Sequence, residues 1–242
     1  MTEVSKPSAP APLRIAIVGA ESTGKTTLAR ELAVALAEGP SQRLDAPRPA
    51  ARVALVPEFL REWCVAHGRT PRPDEQAAIL AEQHARIDAA SAAHDIVVAD
   101  TTALMTHVYS ELLFGDRSLI DTAIAQHRTM AATLLTALDL PWVPDPAVRD
   151  GEHVRRPVDD LLRALLLQHR LPFAVVSGRG PARLAQALAA LRPALGAGRS
   201  RRSALFSTLT AGAPADARPV RRWLCECCDP AAERAVARDR SR

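Results

Sequence analysis

What this chain has little of narrows its class first. Its 242 residues include eight aromatics (four Phe, three Trp and one Tyr). They include no apolar run of about 20 residues, the length needed to span a bilayer, so no membrane association is expected. Residues 1–12 are polar and proline-rich and lack the apolar centre of a secretory leader. The four cysteines are Cys64, Cys225, Cys227 and Cys228, and three crowd near one end. They suggest no disulfide framework, and a reduced, cytoplasmic protein is expected. Lysine is nearly absent: Lys6 and Lys25 are the only two among 31 basic residues.

What is present suits one large core. Apolar residues make up 48% of the chain. The net charge of +4 is unevenly placed, because residues 199–242 hold ten arginines against five acids. Residues 192–222 are rich in Arg, Ala, Ser, Gly and Pro, a composition that builds no core. We therefore expect a disordered stretch at 1–12, one domain over 13–191, and a basic, largely flexible tail over 192–242. A solvated end is the expectation for that tail, ahead of a nucleic-acid contact. Cys225, Cys227 and Cys228 are one ligand short of the usual zinc set and wrongly spaced for it, so a chance cluster is expected.

Short β-branched or apolar runs predict buried strands at 13–18, 53–56, 96–99 and 173–176, with a weaker one at 138–143. Helical spacing falls at 26–38, 59–67, 74–93, 103–114, about 118–137, 158–169 and 181–191. Apolar strands alternating with helices predict an α/β fold: a five-stranded parallel sheet covered by helices on both faces. Ligands of such sheets gather at the carboxyl ends of the strands.

Directly after the first strand stand Gly19-Ala20-Glu21-Ser22-Thr23-Gly24-Lys25-Thr26, followed by Thr27. They match G-x-x-x-x-G-K-[ST] at every fixed position, in the strand–loop–helix context the motif requires. Glycines let successive backbone N–H groups turn inward on phosphates, and the helix start adds its dipole. Lys25 supplies a compact charge to the β and γ phosphates, and the Thr26 hydroxyl a ligand for Mg²⁺. A chain that otherwise uses arginine has kept lysine here, where a planar guanidinium would not fit. ATP and Mg²⁺ are the cofactors expected.

Asp100 ends the third strand, where a second Mg²⁺-binding group belongs; the alternative is a cap for the helix at 103. Thr101 and Thr102 follow it, so the Asp-Glu pair common in hydrolytic motors is missing, and transfer to a bound acceptor is favoured. Glu58, after the second strand, is the candidate to accept a proton from an acceptor hydroxyl; the alternative is an acid favoured at a helix start. Arg61 either binds substrate or pairs with Glu62. Trp63, Tyr109 and Trp142 are candidates to stack on a flat base, with core packing as the alternative. Arg149, Arg155 and Arg156 lie in a polar stretch suited to a closing lid, Arg149 being the candidate for catalysis.

GAESTGKTTLARELA, VPEFLREW, ADTTALMTHVYSELLFGD, LPWVPDPAVRD and VVSGRGPARLAQAL occur in this order. Together they resemble the ribosylnicotinamide kinase domain of NadR-type proteins over roughly 13–191. Stand-alone chains of this kind are often labelled AAA-family ATPases. The resemblance implies a P-loop kinase that turns ATP and nicotinamide riboside into ADP and nicotinamide mononucleotide, a step of NAD biosynthesis. It implies ATP on Gly19 to Thr27, Mg²⁺ on Asp100, the ribose hydroxyl facing Glu58, a lid around Arg149, and adenine near Ser177-Gly178-Arg179. Bifunctional members carry an adenylyltransferase domain upstream; about a dozen residues precede the first strand here, so that activity is not expected. Where the family often has Asp-Thr-Asp, this chain has Asp100-Thr101-Thr102. The expected partner is thus a small nucleoside, the alternative being a regulatory ATPase or switch that acts through a protein or nucleic-acid partner.

Overall fold

A computed structural model describes residues 11–39, 51–143 and 152–196. Five parallel strands form one sheet: β1 (Leu13–Val18), β2 (Val53–Val56), β3 (Ile96–Asp100), β4 (Ala132–Thr136) and β5 (Ala174–Val176). Their order across the sheet is β2-β3-β1-β4-β5. The helices are α1 (Lys25–Glu38), α2 (Phe59–His67), α3 (Gln76–Ala93), α4 (Ala103–Phe114), α5 (Ile120–His127), α6 (Arg155–Gln168) and α7 (Gly180–Gly196). None among the described residues is long and apolar enough to cross a membrane.

The central strand shows why both faces are covered. Successive side chains of a strand point to opposite faces. Ile15 and Ile17 of β1 pack with Leu28 and Leu32 of α1 and Leu191 of α7. Ala16 and Val18 pack with Leu104 and Val108 of α4, Ile124 of α5 and Leu162 of α6. All four β1 side chains are fully buried. Because β1 lies between β3 and β4, the loops leaving β1, β2 and β3 emerge on one edge, at the strands' carboxyl ends.

One stretch corrects the sequence reading. A helix over about 118–137 and a strand over 138–143 were the expectation; α5 instead stops at His127, and 132–136 is the strand. The alanines and leucines of this stretch favour a helix locally, but tertiary pairing overrides propensity. The Thr129 hydroxyl donates to the Gln126 carbonyl and closes the turn. Ala131 then donates its N–H to the Arg14 carbonyl, and β4 pairs with β1 from Ile15 against Ala132 onward. Residues 138–143 form turn and irregular chain instead. The loop after the fourth strand therefore starts at Ala137, seven residues before the point the sequence suggested.

The new α5–β4 junction carries a buried histidine. His127 Nδ1 lies 2.9 Å from Thr102 Oγ1, and Nε2 lies 2.9 Å from Thr133 Oγ1. Burial lowers its pKa from 6.5 to about 4, so the ring is neutral in the folded chain. An unfolded chain binds a proton here below about pH 6.5, and the folded chain resists doing so. The stabilisation is therefore complete above that pH and is lost as pH falls toward 4. Thermal melts of the full chain should show Tm dropping through this window, and His127→Gln should flatten that part of the profile.

Candidate active site

The phosphate loop is built by tight backbone packing. Gly19 has φ of 146°, and a Cβ placed there would sit 2.1 Å from Thr136 Oγ1. That hydroxyl is the reason the position is closed: it donates to the Val18 carbonyl at 3.2 Å and lies 2.7 Å from Thr23 Oγ1. Thr23 Oγ1 also donates to the Ala20 carbonyl at 2.7 Å. Gly24 (φ 75°) enters α1 in the left-handed conformation, and Ser22 shares it at φ 52°. Alternating turns of this kind aim N–H groups into one concavity. Gly19→Ala should therefore displace β4 or the loop itself. We expect ATP affinity to fall at least about tenfold and Tm to drop by several degrees, read by nucleotide titration and thermal melt.

Lys25 starts α1, is 9% exposed, and donates through Nζ to the Ala20 carbonyl at 2.8 Å. The ammonium is thus held across the loop mouth. Next to it, the Thr26 hydroxyl lies near enough to Asp100 to favour the ionised carboxylate. Asp100 is 2% exposed, and its Oδ1 has no hydrogen-bond partner among the described residues. Burial raises its pKa; the Thr26 hydroxyl and the charges of Lys25, Arg61 and Arg30 oppose that shift. No group of three or more His, Cys, Asp or Glu suited to a metal occurs among the described residues. Mg²⁺ does not require one, because it is held through one or two carboxylates plus substrate phosphates. One hydroxyl and one carboxylate oxygen lacking a donor, side by side at the phosphate loop, fit that ion.

Thr101, directly after Asp100, has φ of 74° although it is β-branched and 3% exposed. Such backbone strain persists only where the surroundings hold it. Here the Thr101 N–H donates to the Ile17 carbonyl on β1 and Thr102 is tied to His127. Asp100 does not cap α4: the N-cap is Thr102, with no side-chain capping bond.

A cavity of about 400 Å³ opens over this edge. The phosphate-loop residues Glu21, Ser22, Gly24, Lys25, Thr26 and Thr27 line one side, and Glu58, Arg61 and Tyr109 line it too. Glu58 is the N-cap of α2 but makes no side-chain capping bond. Its backbone surroundings are pinned from α3. Gln83 accepts from the Phe59 N–H at 2.7 Å and donates to the Pro57 carbonyl at 3.3 Å. Glu62 accepts from Arg86 Nη1 at 2.5 Å, and Arg61 faces the cavity.

The other expected residues distribute unevenly. Tyr109 is 8% exposed and on the cavity wall. Trp63 is not among the lining residues: its ring stacks on His67 at 3.9 Å, and Arg69 lies over it at 4.8 Å. Trp142 is half-buried and also absent from the lining. Ser177, Gly178 and Arg179 are exposed, outside this cavity, at the start of the loop into α7. Arg155 is buried and donates to the Leu140 carbonyl at 2.9 Å, which makes it a tether. Arg156 is exposed. Arg149 and the tail cysteines lie outside the described residues.

The sequence reading missed Arg183 and Asp139. Arg183, on α7 and 4% exposed, donates to the Thr23 carbonyl at 2.6 Å and to the Gly178 carbonyl at 3.0 Å. Asp139 lies 3.4 Å from Arg183 Nη1 and accepts from the Gly178 N–H. The phosphate loop and the loop after β5 are thus fastened to each other. The misplaced fourth strand hid Asp139, and nothing in the local sequence around Arg183 marks an arginine that turns inward.

The sequence model of the AAA domain matches residues 14–183. No curated protein matches the sequence. Among solved structures, NadR in complex with NR superposes with a TM-score of 0.61 at 20% identity, covering 80% of this chain and 53% of that one. NadR in complex with NAD and AMP-PNP gives 0.58 at 20% identity, covering 80% and 52%. Thymidylate kinase from Ehrlichia chaffeensis gives 0.52 at 16% identity, covering 76% and 100%. This chain therefore spans about half the length of the NadR chains it matches. At these identities the likeness is one of fold, a P-loop α/β architecture.

Proposed function

Since this chain belongs to the AAA-domain family, we propose that it is the ATP-dependent kinase branch of that architecture, phosphorylating nicotinamide riboside to the mononucleotide. The observation that carries this reading is that Glu58 and the phosphate loop line one cavity. A group able to take a hydroxyl proton thereby shares a chamber with the site for the phosphate to be transferred. The kinase domain spans 13–191 on this reading. Two threonines after Asp100 support it as well, because no carboxylate stands there to polarise a hydrolytic water.

Lys25 and the loop N–H groups hold the β and γ phosphates, and Glu58 orients the riboside hydroxyl and accepts its proton. The hydroxyl oxygen bonds to the γ phosphorus while the bond from that phosphorus to the β–γ bridging oxygen breaks, leaving ADP. Mg²⁺, on Thr26 and Asp100, would neutralise charge building on the phosphates. Arg61 adds positive charge on the acceptor side, and Tyr109 offers a ring face to the base.

Glu58→Gln tests the assignment. Riboside-dependent ADP release should fall by about 10²–10⁴-fold, the usual range for a general base, with ATP affinity unchanged. Full activity in this variant would show that Glu58 is not the base.

A further inference from the structure

The turn that follows Asp100 departs from local preference twice. Thr101 is β-branched, yet its φ is 74°, a region such residues rarely enter. Thr102 is the N-cap of α4, where a threonine oxygen ordinarily accepts from the first turn of the helix. It makes no such bond. Its hydroxyl lies instead 2.9 Å from His127 Nδ1, and His127 Nε2 lies 2.9 Å from Thr133 Oγ1. Thr102 does not line the cavity, so this hydroxyl serves the turn and not a bound substrate. Thr101, Thr102, His127 and Thr133 are all buried. Thr133 stands on β4 opposite Ala16 of β1, and the Thr101 N–H donates to the carbonyl of Ile17. The strand that leads into the phosphate loop thus holds the turn twice, directly at Ile17 and through Thr133 and His127. Both departures cost stability where they occur, and both adjoin the one buried carboxylate beside Thr26.

We propose that His127 is a positioning residue for the Mg²⁺ carboxylate, its bonds to Thr102 and Thr133 holding the turn that fixes Asp100 beside Thr26. The inference rests on the reading above that Thr26 and Asp100 hold Mg²⁺ at the phosphate loop, and it adds the group that keeps the carboxylate in place. A neutral imidazole suits the task, because it donates through one nitrogen and accepts through the other and so bridges two hydroxyls. Freed of that anchor, Thr101 relaxes toward an ordinary backbone conformation. The chain then turns beside Asp100, and the carboxylate moves relative to Thr26. Groups behind metal ligands act by fixing orientation in this way, and losing one commonly costs about 10–100-fold in metal affinity.

The test measures Kd of AMP-PNP for the full chain in EDTA and in excess Mg²⁺, and takes the first over the second. No acceptor is present, so the result does not depend on which hydroxyl receives the phosphate, and a failed riboside assay leaves it standing. His127→Leu deletes both bonds, and Thr102→Val deletes the one nearer Asp100. Two variants are included so that one failing to fold leaves the other to decide. Each should lower the ratio by about tenfold or more, with Kd in EDTA unchanged, because the phosphate loop's own contacts stay in place. Thr102→Ser, which keeps the hydroxyl, should retain the wild-type ratio. Asp100→Asn sets the scale and should lower the ratio at least as far. A purely structural role would weaken binding with and without Mg²⁺ alike and leave the ratio alone. That result in the Leu and Val variants, with Asp100→Asn still lowering the ratio, would overturn the role of His127 and spare the Mg²⁺ reading. A ratio that Asp100→Asn leaves at its wild-type value would instead remove Asp100 from the metal site, and this positioning role with it.

Discussion

Lys25→Ala is expected to lower kcat by about 10²–10³-fold, the cost of removing one preorganised charge donor from a transition state, while leaving the fold intact. The two halves of this expectation have separate grounds. The ammonium sits at the mouth of the loop, 9% exposed, where on the proposed kinase reading charge moves from the γ phosphate to the bridging oxygen. Its one hydrogen bond given by the geometry goes to the Ala20 carbonyl, and that carbonyl still accepts from Thr23 Oγ1 when the lysine is gone. The Thr23–Thr136 contact and the Arg183 tether remain as well. Tm should stay within a few degrees of wild type as kcat collapses. Lys25→Arg should also fail, because a planar fork replaces a point charge in a nearly closed slot. A kcat within tenfold of wild type in the alanine variant would mean that the loop binds phosphate without serving transfer.

Asp100→Asn should remove activity and raise stability together. The carboxylate is 2% exposed, one of its oxygens has no donor among the described residues, and burial raises its pKa. A group whose acid form is favoured on folding makes its charged form a cost at neutral pH, and that cost fades as pH falls toward the ordinary carboxylate range. An uncharged amide of the same shape avoids the cost. The same change takes away the charge that would hold Mg²⁺, so transfer should drop by about 10²-fold or more, the scale of losing metal assistance. Melts at pH 7 and coupled ADP release measure the two effects. Lower Tm with normal turnover would reverse both signs and remove Asp100 from the site. Tension of this kind, stability given up where function needs a charge, belongs to active sites.

Much of the fold was legible because its signals were local and strong. Ile15 to Val18, Val53 to Val56 and Ile96 to Ala99 are continuous apolar runs, the pattern of strands buried on both faces. The phosphate loop carries its own context, a strand before and a helix after. The fourth strand was hidden for a physical reason. Ala132 to Thr136 lies in an Ala- and Leu-rich stretch with helical spacing, and its state is decided by hydrogen bonds to Arg14 and its neighbours, more than a hundred residues earlier in the chain. That error moved the carboxyl end of the strand away from Thr136 and Asp139, which shape the phosphate loop and its tether.

At the site, residues placed by strand ends were legible and residues placed by helix packing were not. Lys25, Thr26, Glu58 and Asp100 follow or end strands, and they meet where the sheet topology brings strand ends together. Gln83 and Arg183 come from helices whose polar side chains turn inward, and periodicity does not distinguish an inward glutamine from a solvated one. Trp63 was a candidate for stacking because aromatics are few and it follows a predicted strand end; its ring is engaged by His67 and Arg69.

The most direct test of the account is to incubate the full chain with Mg·ATP and nicotinamide riboside and quantify products by mass. The account predicts ADP and nicotinamide mononucleotide in equal amounts, with little ADP when riboside is left out. ADP formed at one rate with or without riboside, and no mononucleotide, would contradict it and identify a nucleotide hydrolase or partner-driven switch built on the same phosphate loop.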